Sequence, residues 1–342
     1  MTKIVLDAMG SDTYPTPDVI GAVMAAREYG VEVILVGDEA LIKPVLAAQN
    51  PGNLPIRIVH APEMISMKDK GLALALKVRR PNAKNSMAIG IDLVKNGEAD
   101  AFVTAGNSGA VMATAYFRLG TIAGVDLPAL APIFPTATGT CVVLDIGVNP
   151  DCKPHNLLQF AIMGSIYAEK VRGIKNPTIG LLSNGEEEGK GNHLVKETTP
   201  LLKNSGLNFY GNVEGKEVIG GEVDVAVTDG FSGNIMLKSS EAVAKLIIDK
   251  IKEAIKNGGP LAMLGGLLVK PALGKIKKML DPSEEGAAPL LGVNGLVFIG
   301  HGRSDEIAIK NAIRVAKNAA ESGVLEAMKS GIQESMSVSK AE

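Results

Sequence analysis

Short apolar, β-branched runs alternate with longer stretches of helical periodicity along almost the whole chain. The runs lie at 3–9, 31–37, 56–60, 101–105, 130–134, 141–146, 178–183, 208–210, 223–228 and 296–299. Many are apolar without interruption, the pattern of strands covered on both faces. Helical patterns separate them, for example at 18–29, 86–95, 108–119 and 157–171. This rhythm predicts an α/β fold with a mostly parallel sheet and helices on both sides. Ligands in such sheets bind beyond the carboxyl ends of the strands, so chemistry is expected in the loops that follow them. Much of the chain's glycine, 39 residues, falls directly after the apolar runs, where the backbone must come close to something.

One segment breaks the rhythm. From 231 to 280 the pattern is helical with no clear strand, and Gly258-Gly259-Pro260 marks a tight turn inside it. A protruding helical hairpin is expected at 231–282. No low-complexity linker divides the chain, so the expected organisation is one domain over 1–330 and a polar tail at 331–342.

Composition removes several function classes. Hydrophobic residues make up 46%, which fits a globular chain and not a disordered one. A formal net charge of −2, with 4% aromatic residues and no Trp, gives neither the electrostatic footprint nor the stacking platforms of a nucleic-acid binder. Cys141 and Cys152 are too few for a disulfide framework or a zinc site and read as reduced thiols. The amino terminus enters a β-like run with no signal-peptide pattern, and no apolar stretch reaches the ~18–20 residues of a membrane span. A cytoplasmic location is expected.

Five loops carry candidate chemistry. In Asp7-Ala8-Met9-Gly10-Ser11-Asp12, the small Gly10-Ser11 pair lets backbone amides approach an anion between two carboxylates, Asp7 and Asp12; an ordinary capped turn accounts for the same residues. In Gly106-Asn107-Ser108-Gly109, a strand gives way to a helix whose amino terminus is a ready anion site. Asn107 or Ser108 there either caps the helix or donates to phosphate. The loop 184–192, Asn-Gly-Glu-Glu-Glu-Gly-Lys-Gly-Asn, matches neither a Walker A loop nor a dinucleotide fingerprint, because its glycine spacing is wrong for both. Its Lys190, framed by glycines, suits a mobile loop that brings an ammonium to an anion, while the three glutamates read as a solvated face. Asp229 and Gly230 end a strand and open the helix bearing Asn234. His301 stands in Gly300-His301-Gly302-Arg303. His60 and His193 have no visible partner and are read as non-catalytic. No zinc-ligand spacing and no serine-hydrolase elbow is present, so no metal and no covalent intermediate are expected.

Together these strings resemble the bacterial phosphate acyltransferase family of phospholipid synthesis. The resemblance runs from Lys3 to about Ala320 and rests on eight stretches in order: LDAMGSD (6–12), ADAFVTAGNSGA (99–110), LDIGVNPDCKP (144–154), LLQFAIMG (157–164), NGEEEGKGN (184–192), NFYGNVEG (208–215), VDVAVTDGFSGNIMLK (223–238) and APLLGVNG (288–295). The sequence departs from the family pattern at Ser11, usually a second glycine, at Ser108, more often threonine, and at His155-Asn156.

The resemblance implies a three-layer α/β/α sandwich like that of isocitrate and isopropylmalate dehydrogenases. It implies a homodimer, peripheral on the inner face of the cell membrane, that transfers a long-chain acyl group from acyl carrier protein to inorganic phosphate. No cofactor is implied, and the acyl phosphate would pass to a downstream glycerol-3-phosphate acyltransferase. Lys190 and Asn234 are then the expected catalytic donors. Asp7, Gly10, Asp12, Gly106, Asn107, Ser108, Gly109, Asp229, Gly230 and His301 are the expected substrate-binding residues. Two alternatives are a short-chain phosphotransacetylase using coenzyme A and a non-catalytic scaffold for acyl carrier protein. The apolar stretch 260–269 lies in a collar of lysines, Lys250, Lys252 and Lys256 before it and Lys270, Lys275, Lys277 and Lys278 after it. It is expected to insert into an anionic membrane surface; packing into a dimer partner is the alternative.

Overall fold

A computed structural model describes residues 1–80 and 82–338, apart from the side chains of residues 73, 275, 277, 282 and 336–338. The chain opens with β1 (Lys3–Asp7), α1 (Thr16–Tyr29), β2 (Glu32–Gly37), α2 (Glu39–Ala48), β3 (Ile56–His60), α3 (Gly71–Arg79), α4 (Ser86–Lys95), β4 (Ala101–Thr104) and α5 (Ser108–Leu119). It continues with β5 (Ala129–Leu130), β6 (Ile133–Pro135), β7 (Thr140–Leu144), α6 (Pro154–Lys170), β8 (Ile179–Leu182), α7 (His193–Lys203), β9 (Phe209–Val213), α8 (Gly215–Gly220) and β10 (Val225–Val227). The last elements are α9 (Gly230–Asn257), α10 (Gly259–Met279), β11 (Ala287–Leu291), β12 (Leu296–Gly300), α11 (Glu306–Ser322) and α12 (Val324–Val338).

The strands form two sheets, a seven-stranded one in the order β3-β2-β1-β4-β12-β11-β5 and a five-stranded one in the order β6-β7-β10-β8-β9. Pairing is parallel from β3 through β12 and from β7 through β9, while β11, β5 and β6 run antiparallel to their neighbours.

The uninterrupted apolar strands put successive side chains on opposite faces, and both faces are covered. On β1, Ile4 and Leu6 enter one core cluster and Val5 another; on β2, Val33 and Leu35 divide from Ile34 and Val36 in the same way. The first face packs on Val19 and Ala22 of α1 and Ile309 and Ala312 of α11. The second packs on Met87 and Ile91 of α4 and Ala110 and Val111 of α5. Gly21 lets α1 and α11 meet, since a Cβ there would stand 2.6 Å from Ile309 Cβ. In the second sheet, Val142, Leu144, Val225 and Val227 share the first cluster with Phe160 of α6, while Cys141, Val143 and Ala226 turn to Val218 of α8. The first cluster therefore runs through both sheets.

Two expectations are corrected. The run 130–134 is not one strand. Leu130 pairs with Leu290 in the larger sheet, and Ile133 pairs with Val142 in the smaller. Pro132, which has no N–H for a ladder, sits at the crossing, and its carbonyl accepts from Val143 N. The residues after 331 do not begin a polar tail. Met328 and Ile332, one helical turn apart, are both buried, and they carry α12 on to Val338; residues 339–342 lie outside the described ones.

The hairpin segment consists of α9 and α10, with Gly259 at φ 78° in the turn between them. Its apolar side chains are largely uncovered: Val243, Leu246 and Ile247 on α9, and Leu261, Leu264, Leu267 and Leu268 on α10. Among the described residues no helix is long and apolar enough to cross a membrane.

Candidate active site

The loops singled out from the sequence all follow parallel strands, and they fall into two groups by the sheet whose strands they follow. In the first group, a Cβ at Gly10 would stand 2.8 Å from Thr104 Oγ1 and 2.9 Å from Gly106 N. The loops after β1 and β4 thus touch backbone to backbone. Thr104 Oγ1 donates to Asp7 Oδ2 at 2.9 Å and accepts from Gly106 N at 2.9 Å. Met9 N donates to Asp7 Oδ1 at 3.1 Å. Asp12 N donates to Gly302 O at 2.7 Å, which joins the loop after β12. Asp7 is buried, and burial raises its pKa against the hydrogen bonds from Ser86, Thr104 and Met9. Its carboxylate orders the loops from within.

Asn107 caps α5, accepting from Ala110 N at 3.1 Å. Its Nδ2 donates to Ser66 O at 3.4 Å and Asp69 O at 3.3 Å, so its amide is occupied on both sides. Ser108 and Gly109 follow on the exposed first turn of that helix, where free N–H groups and the dipole favour an anion. His301 is exposed and accepts from Arg303 N through Nδ1 at 3.1 Å, which leaves Nε2 turned away from that bond.

The second group surrounds the ends of β7, β8 and β10. Gly147 N donates to Gly230 O at 3.0 Å, and Gly230 N donates to Asn149 O at 2.8 Å. Asp229 caps α9, accepting from Ser232 N at 2.8 Å and Ser232 Oγ at 2.9 Å. One turn on, the exposed Asn234 lies over Gly147, whose Cβ would be 3.6 Å from Asn234 Cγ. The loop 184–192 is braced at its edges: Asn184 Oδ1 accepts from Gly191 N at 3.0 Å, Glu186 pairs with Lys216 at 2.6 Å and Glu188 pairs with Lys203. Two of the glutamates read as a solvated face thus anchor the loop. Lys190 is exposed, and among the described residues its ammonium has no hydrogen bond or ion pair; the same holds for the Asn234 amide. Val148, beside this second group, packs against the core cluster that holds Ala110 and Val111 of α5.

Several contributors were not singled out in the sequence. Asp145, fully buried, accepts from Leu130 N at 3.0 Å with Oδ1, and from Asn149 N at 2.6 Å and Asn149 Nδ2 at 2.9 Å with Oδ2. Burial pushes its pKa up to about 6 against those bonds. Asp18 is pushed up to about 8, chiefly by burial, with the charge of Asp7 adding to the effect. The only sequence signal for Asp145 is an aspartate at a strand end two residues before a glycine. Burial, then the Asp145 and Asp229 carboxylates, raises the Cys152 thiol to about 12; it stays protonated and is no nucleophile. His155 lies 2.5 Å from Asp126 in an exposed pair. The carboxylates of Glu186, Glu214 and Glu217 converge closely enough to suggest a cation site. The Lys216 ammonium already stands among them, at 2.6, 3.0 and 3.4 Å.

The model of a family described as fatty acid synthesis protein matches residues 2–327. A phosphate acyltransferase of Elusimicrobium minutum is 49% identical over 333 residues, covering 97% of this chain and 96% of its own length. One from Acidobacterium capsulatum is 49% identical and covers 95% of both. Among solved structures, a phosphotransacetylase from Streptococcus pyogenes superposes with a TM-score of 0.59 at 18% identity, covering 94% of each chain. A 4-hydroxythreonine-4-phosphate dehydrogenase from Klebsiella pneumoniae gives 0.52 at 15% identity, covering 93% of this chain and 99% of its own. At these identities the likeness is one of fold.

Proposed function

The chain belongs to the fatty acid synthesis protein family, in which its near relatives are phosphate acyltransferases, and from that membership we propose that it transfers a long-chain acyl group from acyl carrier protein to inorganic phosphate. One observation carries the assignment of the catalytic groups. Around the strand ends, the carboxylates of Asp7, Asp145 and Asp229 and the amide of Asn107 are engaged within the protein, whereas the Lys190 ammonium and the Asn234 amide are exposed and unpartnered among the described residues.

Phosphate needs little activation, because near neutral pH it is partly dianionic. A phosphate oxygen attacks the thioester carbonyl, and the carbonyl oxygen takes up charge. The tetrahedral intermediate then collapses with loss of the C–S bond, and the thiolate leaves and is protonated. Holding phosphate against the carbonyl contributes up to ~7–11 kcal/mol in ideal geometry. The amino terminus of α5 at Ser108 and Gly109 suits the phosphate. Lys190 and Asn234 serve as donors to the developing oxyanion, each worth roughly 3–4 kcal/mol in such a role. Asp7, Gly10 and Gly230 act by holding the loops in register.

The uncovered helices α9 and α10 support two further parts of the proposal. Val243, Leu246 and Ile247 on α9 pack on a second copy to form a homodimer. The 260–269 stretch of α10, flanked by lysines, rests on the inner face of the cell membrane, where the amphiphilic product is consumed by a glycerol-3-phosphate acyltransferase. The side chains of Lys275 and Lys277 lie outside the described ones; Lys270 and Lys278 are exposed.

The test uses purified protein, long-chain acyl carrier protein and phosphate, without nucleotide or added metal. The expected result is phosphate-dependent thioester loss with an acyl phosphate that hydroxylamine traps, faster than with the same acyl group on coenzyme A. Thioester loss that needs a nucleotide, or that is independent of phosphate, overturns the reading.

A further inference from the structure

Helix α3 and its flanks present a surface that the acyl-transfer site leaves unused. Between residues 66 and 84 the chain carries six cations, Lys68, Lys70, Lys77, Arg79, Arg80 and Lys84, and one anion, Asp69, in a molecule of net charge −2. Asp69 pairs with Lys77 at 2.7 Å, while Lys68, Lys70 and Lys84 have no carboxylate partner among the described residues. The helix turns Val78 inward and packs Leu74 on the core, but leaves Leu72 and Leu76, one turn apart, 77% and 65% exposed. Beside it on α5, Phe117 is 50% exposed under the Arg79 guanidinium, 5.0 Å from its ring centroid.

The amino terminus of α3 is electrostatically unsatisfied. Its cap residue is Lys70, with no side-chain cap and no acid in the first turn. Two lysines thus stand at the end of a helix that already carries positive partial charge, an arrangement that an anion relieves. This surface is also tied to the candidate site. Asn107 Nδ2 holds the carbonyls of Ser66 and Asp69 while Asn107 Oδ1 caps α5, immediately before Ser108 and Gly109.

We infer that α3 is the docking helix for the acyl donor's carrier protein: an acidic, amphipathic helix of the carrier lies along Leu72 and Leu76, its carboxylates among Lys68, Lys70 and Lys84. The thioester arm then enters at the amino terminus of α5. The inference rests on the acyl-transfer reading and names its donor surface. An acidic helix with a narrow apolar stripe suits small exposed leucines ringed by cations, and the opposite charges speed encounter and fix orientation.

The test compares two double variants, Lys68→Glu with Lys70→Glu and Leu72→Ala with Leu76→Ala, against the parent chain. Each is assayed with one acyl chain on carrier protein and on pantetheine. Docking on α3 predicts a fall of about tenfold or more in kcat/KM for the carrier-borne donor, with turnover of the pantetheine thioester unchanged. Binding of acyl-free carrier, measured by titration, should weaken in parallel, and the parent's affinity should drop as salt is raised. Equal loss with both donors, or no loss with either, overturns the inference. So does intact carrier kinetics accompanied by lost binding to anionic phospholipid vesicles or altered subunit association. A parent chain that turns over neither donor sinks the acyl-transfer reading instead. The carrier titration still decides docking in that case, for or against, according to whether the variants weaken it.

Discussion

Ser11 donates a 2.5 Å hydrogen bond to Asp18, and both residues are buried. The other carboxylate oxygen, Asp18 Oδ1, is buried and has no well-formed hydrogen bond among the described residues. Burial lifts this carboxyl from an ordinary 3.8 to about 8, so it holds a proton at neutral pH. Between those values the folded chain binds a proton that the unfolded chain has released, and stability must fall as pH rises from about 4 to about 8. Asp18→Asn keeps the shape and the acceptor and removes the titration. Urea unfolding should find the variant close to the parent near the lower end of that window and increasingly more stable above it, by up to roughly 1 kcal/mol per pH unit. A difference that stays constant with pH would show that Asp18 titrates alike in both states.

Asp145 should answer the same substitution in the opposite way. It accepts three hydrogen bonds, from Leu130 N, Asn149 N and Asn149 Nδ2. With its pKa at about 6 it is ionised at neutral pH. Asp145→Asn sets an NH2 group against at least one of those N–H donors, leaving a buried donor unpaired at a cost of about 1–3 kcal/mol. Denaturation at neutral pH should show a lower midpoint than in the parent; an unchanged midpoint would mean that the loops after β7 and β10 do not depend on it.

Lys190→Ala should lower kcat by ~100-fold or more with thermal unfolding unchanged, because the ammonium is exposed and its removal costs no packing. Asn234→Ala should behave in the same manner. If only KM for phosphate rises, these groups bind the ground state; parental kinetics in either variant removes that residue from the site.

Replacing Leu264 and Leu268 by Glu separates the two uses proposed for the hairpin. Both side chains are exposed on α10, at 57% and 75%. Sedimentation with anionic liposomes should be lost while the dimer and its activity persist. Dissociation to monomers, or unchanged sedimentation, contradicts the membrane assignment.

The loops were legible because a continuous apolar strand followed by glycine is a local signal. What escaped the sequence depends on distant partners. Asn107 reads as a cap or a phosphate donor, and only the fold brings Ser66 and Asp69, about forty positions earlier, to its Nδ2. Asp7 looks like a loop carboxylate open to a ligand until Thr104, on another strand, takes it inward. The strand expected over 130–134 failed at Pro132, where the chain leaves one sheet for the other. Residues 72–76 are apolar throughout, which sets no face in the sequence, and only in the fold do Leu74 and Val78 of α3 find the core.

The contact of Gly10 with Thr104 and Gly106 governs which sequences this fold can explore. At Gly10 the restriction is spatial, since any Cβ meets backbone atoms that have nowhere to move. At Gly259 it is conformational, with φ at 78° and open space around it. A saturation library should therefore return glycine alone at position 10, while asparagine survives at 259. Two glycines that look equivalent in the chain thus differ in evolvability. One is a fixed point of the site, and the other is a place where the hairpin can drift.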